Sequence, residues 1–160
     1  MAPKFRFGKN AIIRVAPVTA FTGELATKPA TAAFKLLCLA SEVTIGIENT
    51  TIDIENFCTG GRTISVRDGG RDGTMSLGET TWVEDDPAVV IMQTAAFAET
   101  ETGGLVYVEV LPLGAGAGKP VFDLVVDVRT WELTVPSKGV ITATHELSVQ
   151  EGPLPGVIPA

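Results

Sequence analysis

The side chains best suited to chemistry are few and lie far apart in the sequence. His145 is the only histidine, and it falls on the apolar side of an alternating segment near the C-terminus. One histidine without a second histidine or a nearby cysteine does not make a typical zinc site, and no strained nucleophile turn accompanies it. We therefore interpret His145 as structural, and we predict no catalytic residue and no metal ligand.

Two glycine-rich stretches match functional motifs only in part. The stretch from Gly114 to Lys119 has the glycines and lysine of a phosphate loop, but Pro120 stands where Ser or Thr is needed, and a strand follows where a helix is required. The stretch from Asp68 to Gly73 has carboxylates and glycines but lacks the terminal bidentate glutamate of a calcium loop. Both stretches are better explained as turns or loops, and the sequence predicts no enzyme and no cofactor.

Composition favours one mainly β domain over residues 1–160. The chain is 45% hydrophobic with 17 Gly and 10 Pro, and its apolar residues fall in short alternating runs rich in Val, Ile and Thr. The formal net charge of −7 excludes a protein that grips phosphate backbones. No apolar run approaches the roughly 20 residues of a membrane span, and the start lacks the apolar core of a signal peptide. We expect Cys38 and Cys58 to be reduced thiols in a cytoplasm.

The stretch from Lys119 to Pro153 reads as a long β-hairpin around which the rest of the chain is organised. Its first arm alternates with period two, but the phase of the alternation slips near Arg129 and Thr130, which predicts a β-bulge. A turn over Pro136 to Gly139 reverses the chain, and the return arm alternates up to Gly152-Pro153. Residues 154–160 are then expected to form a C-terminal tail.

Shorter elements precede this hairpin. Strands are predicted over residues 10–16, 34–40, 43–54, 74–82 and 105–113. A slip near Asn49-Thr50 predicts a turn or bulge inside the third of them. One helix of about 10–12 residues is predicted after Asp85, with Asp86 as its N-cap and Pro87 at its first position. Two long loops, over residues 19–33 and 55–73, complete the pattern, and we expect a second molecule to order the latter, which is polar and rich in glycine.

Three of these stretches together resemble the major tail tube proteins of siphophages, the bacteriophages with long non-contractile tails. The first runs from Val43 to Gly61 and contains a strand, a charged turn and a glycine-containing loop. The second, from Asp72 to Phe97, ends in Glu-Asp-Asp-Pro and an apolar helix. The third, from Val135 to Leu154, contains a proline turn, a threonine-rich strand and a Gly-Pro ending. The order and spacing of the three stretches carry the resemblance.

The resemblance implies a β-sandwich or half-barrel of antiparallel strands with one flanking α-helix, which assembles into a ring-closed barrel. Hexameric rings would stack into a hollow tube that conducts double-stranded DNA without binding it specifically. The implied protein partners are further copies of the chain and the tape-measure, tail-terminator and baseplate proteins. The implied location is the virion tail, after assembly in the cytoplasm of a bacterial host.

Two sets of residues are candidates for this role. The polar loop that would order between stacked rings contains Asn56, Gly60, Gly61, Arg62, Arg67, Asp68 and Arg71. Acidic residues on polar strand faces are candidates for the lumen wall, where they would keep DNA from adhering, because a negative wall releases no counterions from DNA. They are Glu48, Asp53, Asp123 and Asp127.

Other functions remain open at the level of sequence. A tube subunit of a contractile tail or secretion apparatus, or a tail-terminator or connector ring, would share most of these features. A β-sandwich binding module belongs to a different class and would need a row of exposed aromatic side chains. Trp82 and Trp131 instead fall in alternating strand patterns, and Tyr107 is the only tyrosine.

Overall fold

A six-stranded antiparallel sheet is the centre of the computed structural model, which describes residues 10–19, 27–54 and 64–160. The elements are β1 (Ile12–Pro17), β2 (Lys35–Leu36), β3 (Val43–Ile54), β4 (Ile64–Leu77), β5 (Thr80–Thr81), α1 (Pro87–Ala96), β6 (Leu105–Leu111), β7 (Pro120–Thr134) and β8 (Thr142–Val157). The strand order in the sheet is β2-β1-β6-β7-β8-β5, while β3 and β4 form a separate hairpin. The predicted class, a mainly β half-barrel with one flanking helix, is confirmed.

The long hairpin of β7 and β8 agrees with the prediction except at its end. The register shifts between Val128 and Thr130, which confirms the predicted slip, and it shifts again on both sides of Val125. The predicted end of the strand at Pro153 is wrong, because β8 continues to Val157 and residues 154–157 are not a tail. A proline lacks the amide donor but keeps its carbonyl, so a strand at an open edge continues through it.

The hairpin of β3 and β4 is longer than predicted. Its register shifts between Asn49 and Thr51, as the slip in the pattern indicated. The prediction of a loop over 55–73 is wrong for its second half, because β4 begins at Ile64. Opposite Thr50, three residues of β4 face one of β3, and Gly69 at this bulge has a φ of +90°, which only glycine adopts without strain. The glycines therefore shape a bulged strand and not a loop.

Helix α1 begins as the sequence predicts. One carboxylate oxygen of Asp86 accepts hydrogen bonds from the amides of Ala88 (3.0 Å) and Val89 (3.1 Å). The helix spans 10 residues, and among the described residues it is the only α-helix. It is too short to cross a membrane, as is every other helical turn in the described ranges.

Three predicted segments differ from the observed elements. Strand β2 has only two residues of the predicted 34–40, and the chain after it leaves β1, so that Ala40 forms a bridge with Thr80 of β5. The segment over 74–82 divides between the end of β4 and the two-residue strand β5. In the predicted 19–33 loop, residues 20–26 lie outside the described part, and Thr31–Ala33 form a single 3-10 turn.

The two faces of the sheet are covered by different parts of the chain. On one face, α1 and the hairpin of β3 and β4 pack against Val106, Val108, Leu124 and Val126. On the other face, the segment before β2 packs Phe34 against Tyr107, with the two rings in an edge-on arrangement at 5.8 Å. Both faces therefore carry a core, although the second one is smaller.

His145 lies opposite Trp131 in the hairpin of β7 and β8. Its Nδ1 is buried and has no hydrogen-bond partner among the described residues. Burial disfavours the charged imidazolium and lowers the pKa of His145 below its usual value of 6.5. In the unfolded chain, His145 therefore binds a proton at pH values at which His145 in the folded protein is still neutral.

We predict that the protein loses stability as the pH falls below 6.5, because protonation then favours the unfolded chain. The loss of stability is absent above pH 6.5 and grows as the pH falls from 6.5 to the lowered pKa of His145 in the folded state. The measurement is urea unfolding at pH 7.5 and pH 5.5 for the wild type and for His145→Leu, which cannot titrate here. A wild type that loses no more stability than the variant would contradict the prediction.

Candidate assembly site

Of the residues predicted for contact between rings, three lie on β4 and four lie outside the described residues. Arg67 and Arg71 are exposed on β4, and Asp68 belongs to the same strand. The other four, Asn56, Gly60, Gly61 and Arg62, lie outside the described residues. The hairpin thus carries the observed part of this set, and its role between rings remains a prediction.

The four acidic candidates fall into two groups. Glu48 and Asp53 are exposed on β3, where Glu48 faces Asp72 in register and Asp53 accepts a hydrogen bond from the hydroxyl of Ser65. Asp123 and Asp127 lie on β7, and each contacts a cation. The Nζ of Lys28 is 3.3 Å from Asp123 Oδ1, and the Nε of Arg129 is 3.4 Å from Asp127 Oδ2. Only the pair on β3 presents carboxylates without a neighbouring cation in a salt bridge among the described residues.

A buried carboxylate, Glu109, connects three strands and the segment before β2. The side chain of Glu109 is only 3% exposed, yet its two oxygens contact Arg14 Nη2 at 2.5 Å and Lys28 Nζ at 2.6 Å. Arg14 also lies over the ring of Phe34, 5.6 Å from its centroid. Because Lys28 also reaches Asp123, two cations and two carboxylates form one cluster, which we call the Glu109 cluster.

The pKa shifts show how tightly this cluster is enclosed. Burial works against the charge of Lys28, but the contacts with Glu109 and Asp123 outweigh it and leave the pKa of Lys28 raised. Burial raises the pKa of Asp123, and Lys28 only partly offsets this. Burial, followed by the charges of Asp123, Glu151 and Glu109, also raises the pKa of Tyr107. The contacts of Lys28 with Glu109 and Asp123 fasten the chain before β2 to the sheet.

The sequence gives only a weak signal for this cluster. Glu109 is the single charge in the apolar run of β6, where Val106, Val108 and Val110 face the other core. A charge within a buried run needs a partner, but Lys28 lies in a segment without periodicity and cannot be paired with it from spacing. Among the described residues, no group of three or more His, Cys, Asp or Glu side chains is arranged to hold a metal.

Both edges of the sheet are only partly covered. At one edge β2 pairs with just Arg14 and Val15 of β1. At the other edge β5 pairs with Thr142 and Ala143 of β8, and on its outer side Thr80 forms a bridge with Ala40 of the segment after β2. Beyond Ala143, no other strand of the described ranges pairs with the outer side of β8, although β4 approaches it closely at Gly152. Unpaired strand edges are templates for pairing with another chain. These two edges are therefore the candidate surfaces for lateral contact between copies.

The two long hairpins reach toward opposite ends of the sheet. Residues 128–134 of β7 run past β6, whose first residue, Leu105, pairs with Asp127. In the other direction, Thr80 pairs with Ala143 and Gly73 lies against Gly152, so β4 follows β8 toward its Val157 end. A Cβ at Gly73 would overlap the carbonyl oxygen of Gly152, so this close approach of the hairpin requires glycine. The turn of the β7–β8 hairpin therefore lies at one end of the sheet, and the β3–β4 hairpin extends toward the other end.

Comparison with known proteins identifies solved structures of the same fold. The sequence matches no protein-family model and no curated protein. A chain in the tail of an empty GTA particle, obtained by helical refinement with C6 symmetry, has a TM-score of 0.65 and 12% identity over 96% of this chain and 98% of its own. A chain in the virion of a native gene transfer agent (GTA) particle has a TM-score of 0.54 and 13% identity, over 92% of this chain and 100% of its own. At these identities the comparison shows a shared fold.

We predict that Glu109→Gln lowers the free energy of unfolding by about 2–3 kcal/mol, because it leaves Arg14 and Lys28 without the charge that both contact. Chemical denaturation at pH 7 and moderate salt measures the change. Glu132→Gln, on an exposed position of β7, is the matched control and should change stability by less than about 0.5 kcal/mol. Equal stability of the two variants would show that the cluster does not fasten the chain before β2.

Proposed function

We propose that this protein is a structural subunit of a phage-like tail and that its copies form hexameric rings stacked into a tube for double-stranded DNA. The observation that carries the proposal is a sheet whose edge strands β2 and β8 are only partly paired, in a fold shared over almost its full length with a chain of a C6-symmetric tail. The sequence resemblance to siphophage tail tube proteins supports the same role. No enzymatic step is part of the proposal.

The physical argument begins with the open edges. A monomer with exposed edges risks uncontrolled pairing, and natural proteins cover such edges or close them. The edge at β2 and the edge at β8 are different surfaces, so contact between copies joins one kind of edge to the other. Such heterologous contacts close into a ring when the rotation between neighbours permits it, and a closed ring has no free edge.

The charge distribution fits a conduit for DNA. The net charge of −7 and the exposed carboxylates of Glu48 and Asp53 give a surface that gains nothing from counterion release. Because Asp123 and Asp127 are each held by a cation, we assign the repulsive part of the wall to the β3 pair. On the same hairpin, Arg71 and Arg67 pair with Asn49 and Thr51, so they lie between Glu48 and Asp53 in register.

A tail-terminator or connector ring is the alternative within the same class. The helical refinement of the particle tail that shares this fold favours a repeating subunit over a single ring at the end of a tail. The partners expected for a tube subunit are further copies of the chain, followed by tape-measure, terminator and baseplate proteins. The location would be the virion tail after assembly in a bacterial cytoplasm.

Negative-stain electron microscopy of concentrated protein, beside light scattering of a dilute sample, tests this proposal. We expect six-membered rings or uniform hollow tubes from the wild type. Leu154→Lys places a charge at an exposed position of the open β8 edge and should prevent assembly while leaving a folded monomer. Thr94→Lys on the exposed side of α1 is the matched control and should assemble normally. A wild type that stays monomeric at its highest soluble concentration would contradict the proposal.

A further inference from the structure

The apolar face of the sheet extends beyond the elements that cover it. One row of residues across β1, β6 and β7 is at most 1% exposed: Val15, Val108 and Leu124. The next row in the same three strands lies two residues further along each strand and on the same face, and its residues are only half-buried: Ile13, Val110 and Phe122. In the described part of the chain, the core under α1 and the β3–β4 hairpin is therefore incomplete at this end of the sheet.

The half-buried row forms the floor of an apolar groove with a volume of about 990 Å³. One wall consists of residues 43–47 of β3, and another contains Leu36, Leu37 and Cys38. Because none of the described lining residues belongs to β4, the groove borders the edge of β3 that faces away from its partner strand. No strand of the described ranges pairs with that edge. The groove thus combines an apolar floor with the edge of a strand.

These two features favour an extended protein segment as the occupant. A segment that pairs with the edge of β3 turns every second side chain toward the floor and the others toward solvent. Sites for small polar ligands need several converging polar groups, whereas the floor here is apolar and Glu42 is the only charged residue in the described lining. The groove therefore suits a segment with apolar side chains at alternate positions.

Residues 1–9 of the chain, which lie outside the described residues, have this pattern. Phe5 and Phe7 alternate with Lys4 and Arg6, which is the period of a strand with one apolar face. The segment contains three of the 12 Lys and Arg residues of the chain and no Asp or Glu. As an extended strand it is apolar on one side and basic on the other.

The segment also joins the described chain beside the groove. The description starts at Asn10, and the next residue, Ala11, lines the groove. Phe7 and Phe5 precede Ala11 by four and six residues, so the chain between them can span about 13 and 20 Å. Both aromatic side chains are therefore within reach of the groove in the same copy.

The charges on β3 complement those of the segment. Glu42 and Glu48 are exposed and, by the alternation along β3, lie on the side opposite to Ile45, which packs against the core. In a strand added beside β3 with its apolar side on the floor, Lys4 and Arg6 face this same outer side. Opposite charges then become cross-strand neighbours, which stabilises the pairing.

We propose that residues 1–9 bind in the groove of their own copy as an extended strand beside β3, with Phe5 and Phe7 on the floor and Lys4 and Arg6 on the side of the two carboxylates. The short link to β1 gives the segment an effective concentration in roughly the millimolar range, which exceeds that of a second copy in dilute solution. The contact completes the core at this end of the sheet. It lies within one copy, so it does not depend on the proposed function.

Cys38 measures whether the groove is covered, because it lines the groove and is exposed among the described residues. In a Cys58→Ser background it is the only cysteine, and its rate of reaction with DTNB can be followed in dilute protein. We expect Phe5→Ser combined with Phe7→Ser to raise this rate by at least about fivefold, because the segment then leaves the groove more often. Equal rates with and without the two substitutions would overturn the inference.

The matched control removes two exposed apolar side chains elsewhere. Val135 and Val140, in the turn between β7 and β8, are 64% and 62% exposed. Val135→Ser combined with Val140→Ser in the same background should leave the rate at Cys38 unchanged. A rise equal to that of the Phe5 and Phe7 variant would show a general loosening of the fold and would overturn the inference.

A synthetic peptide of residues 1–9 tests the contact from the other side. Added at about millimolar concentration to the protein with Phe5→Ser and Phe7→Ser, it should slow the reaction of Cys38 again. The same peptide with serine at both positions should not, and an equal effect of the two peptides would overturn the inference. In the protein that keeps both aromatic residues, the rate should stay constant over a roughly hundredfold range of protein concentration. A rate that falls as the concentration rises would instead identify a second copy as the source of the segment.

The charge contacts have a test in which the direct effect on the thiol has the opposite sign. Lys4→Gln combined with Arg6→Gln should raise the rate at Cys38 by about two- to fivefold at low salt and by less at high salt, because binding of the segment weakens. Removal of nearby cations by itself disfavours the reactive thiolate and would lower the rate. A lowered or unchanged rate would overturn the assignment of Lys4 and Arg6.

Discussion

The pairing of β7 with β8 is the interaction on which the rest of the structure depends. This hairpin is longer than its neighbours on both sides, because β6 reaches only to Asp127 and β5 covers only two residues of β8. The mismatch leaves most of the outer side of β8 without a paired strand, although β4 approaches it at Gly152, and leaves the turn beyond Thr134 outside the sheet. Unequal strand lengths thus leave strand positions without a paired neighbour in one monomer.

The second constraint is that the two faces of the sheet are closed by different means. Hydrophobic packing of α1 and the β3–β4 hairpin closes one face, whereas the other depends on a smaller core and the Glu109 cluster. Burying charges is costly unless each finds a partner, so the cluster gives less stability than an apolar core of equal size. The cluster holds Lys28 at one position on the sheet, through its contacts with Glu109 and Asp123. These contacts keep the chain before β2 beside the edge that β2 covers.

Much of the fold could be predicted from the sequence, because its strongest signals are local. Period-two alternation located the long hairpin and the slips near Asn49 and Arg129, but not the register shifts on either side of Val125. Asp86-Pro87 located the start of the helix. The segment from Ile64 to Gly73 was predicted as a loop because its glycines obscure the alternation, and only pairing with β3 makes it a strand. Glu109 and Lys28 come together through tertiary contacts that leave no spacing in the sequence.

The central claim is that the partly paired edges of the sheet are the surfaces through which copies of this chain pair. Amide hydrogen exchange, compared between dilute protein and assembled protein, measures this directly. We expect assembly to slow exchange by at least about tenfold in β8 beyond Ala143 and in β2, while amides in the centre of β6 change little. Exchange along β8 that is equally fast in the assembled and the dilute protein would contradict the account.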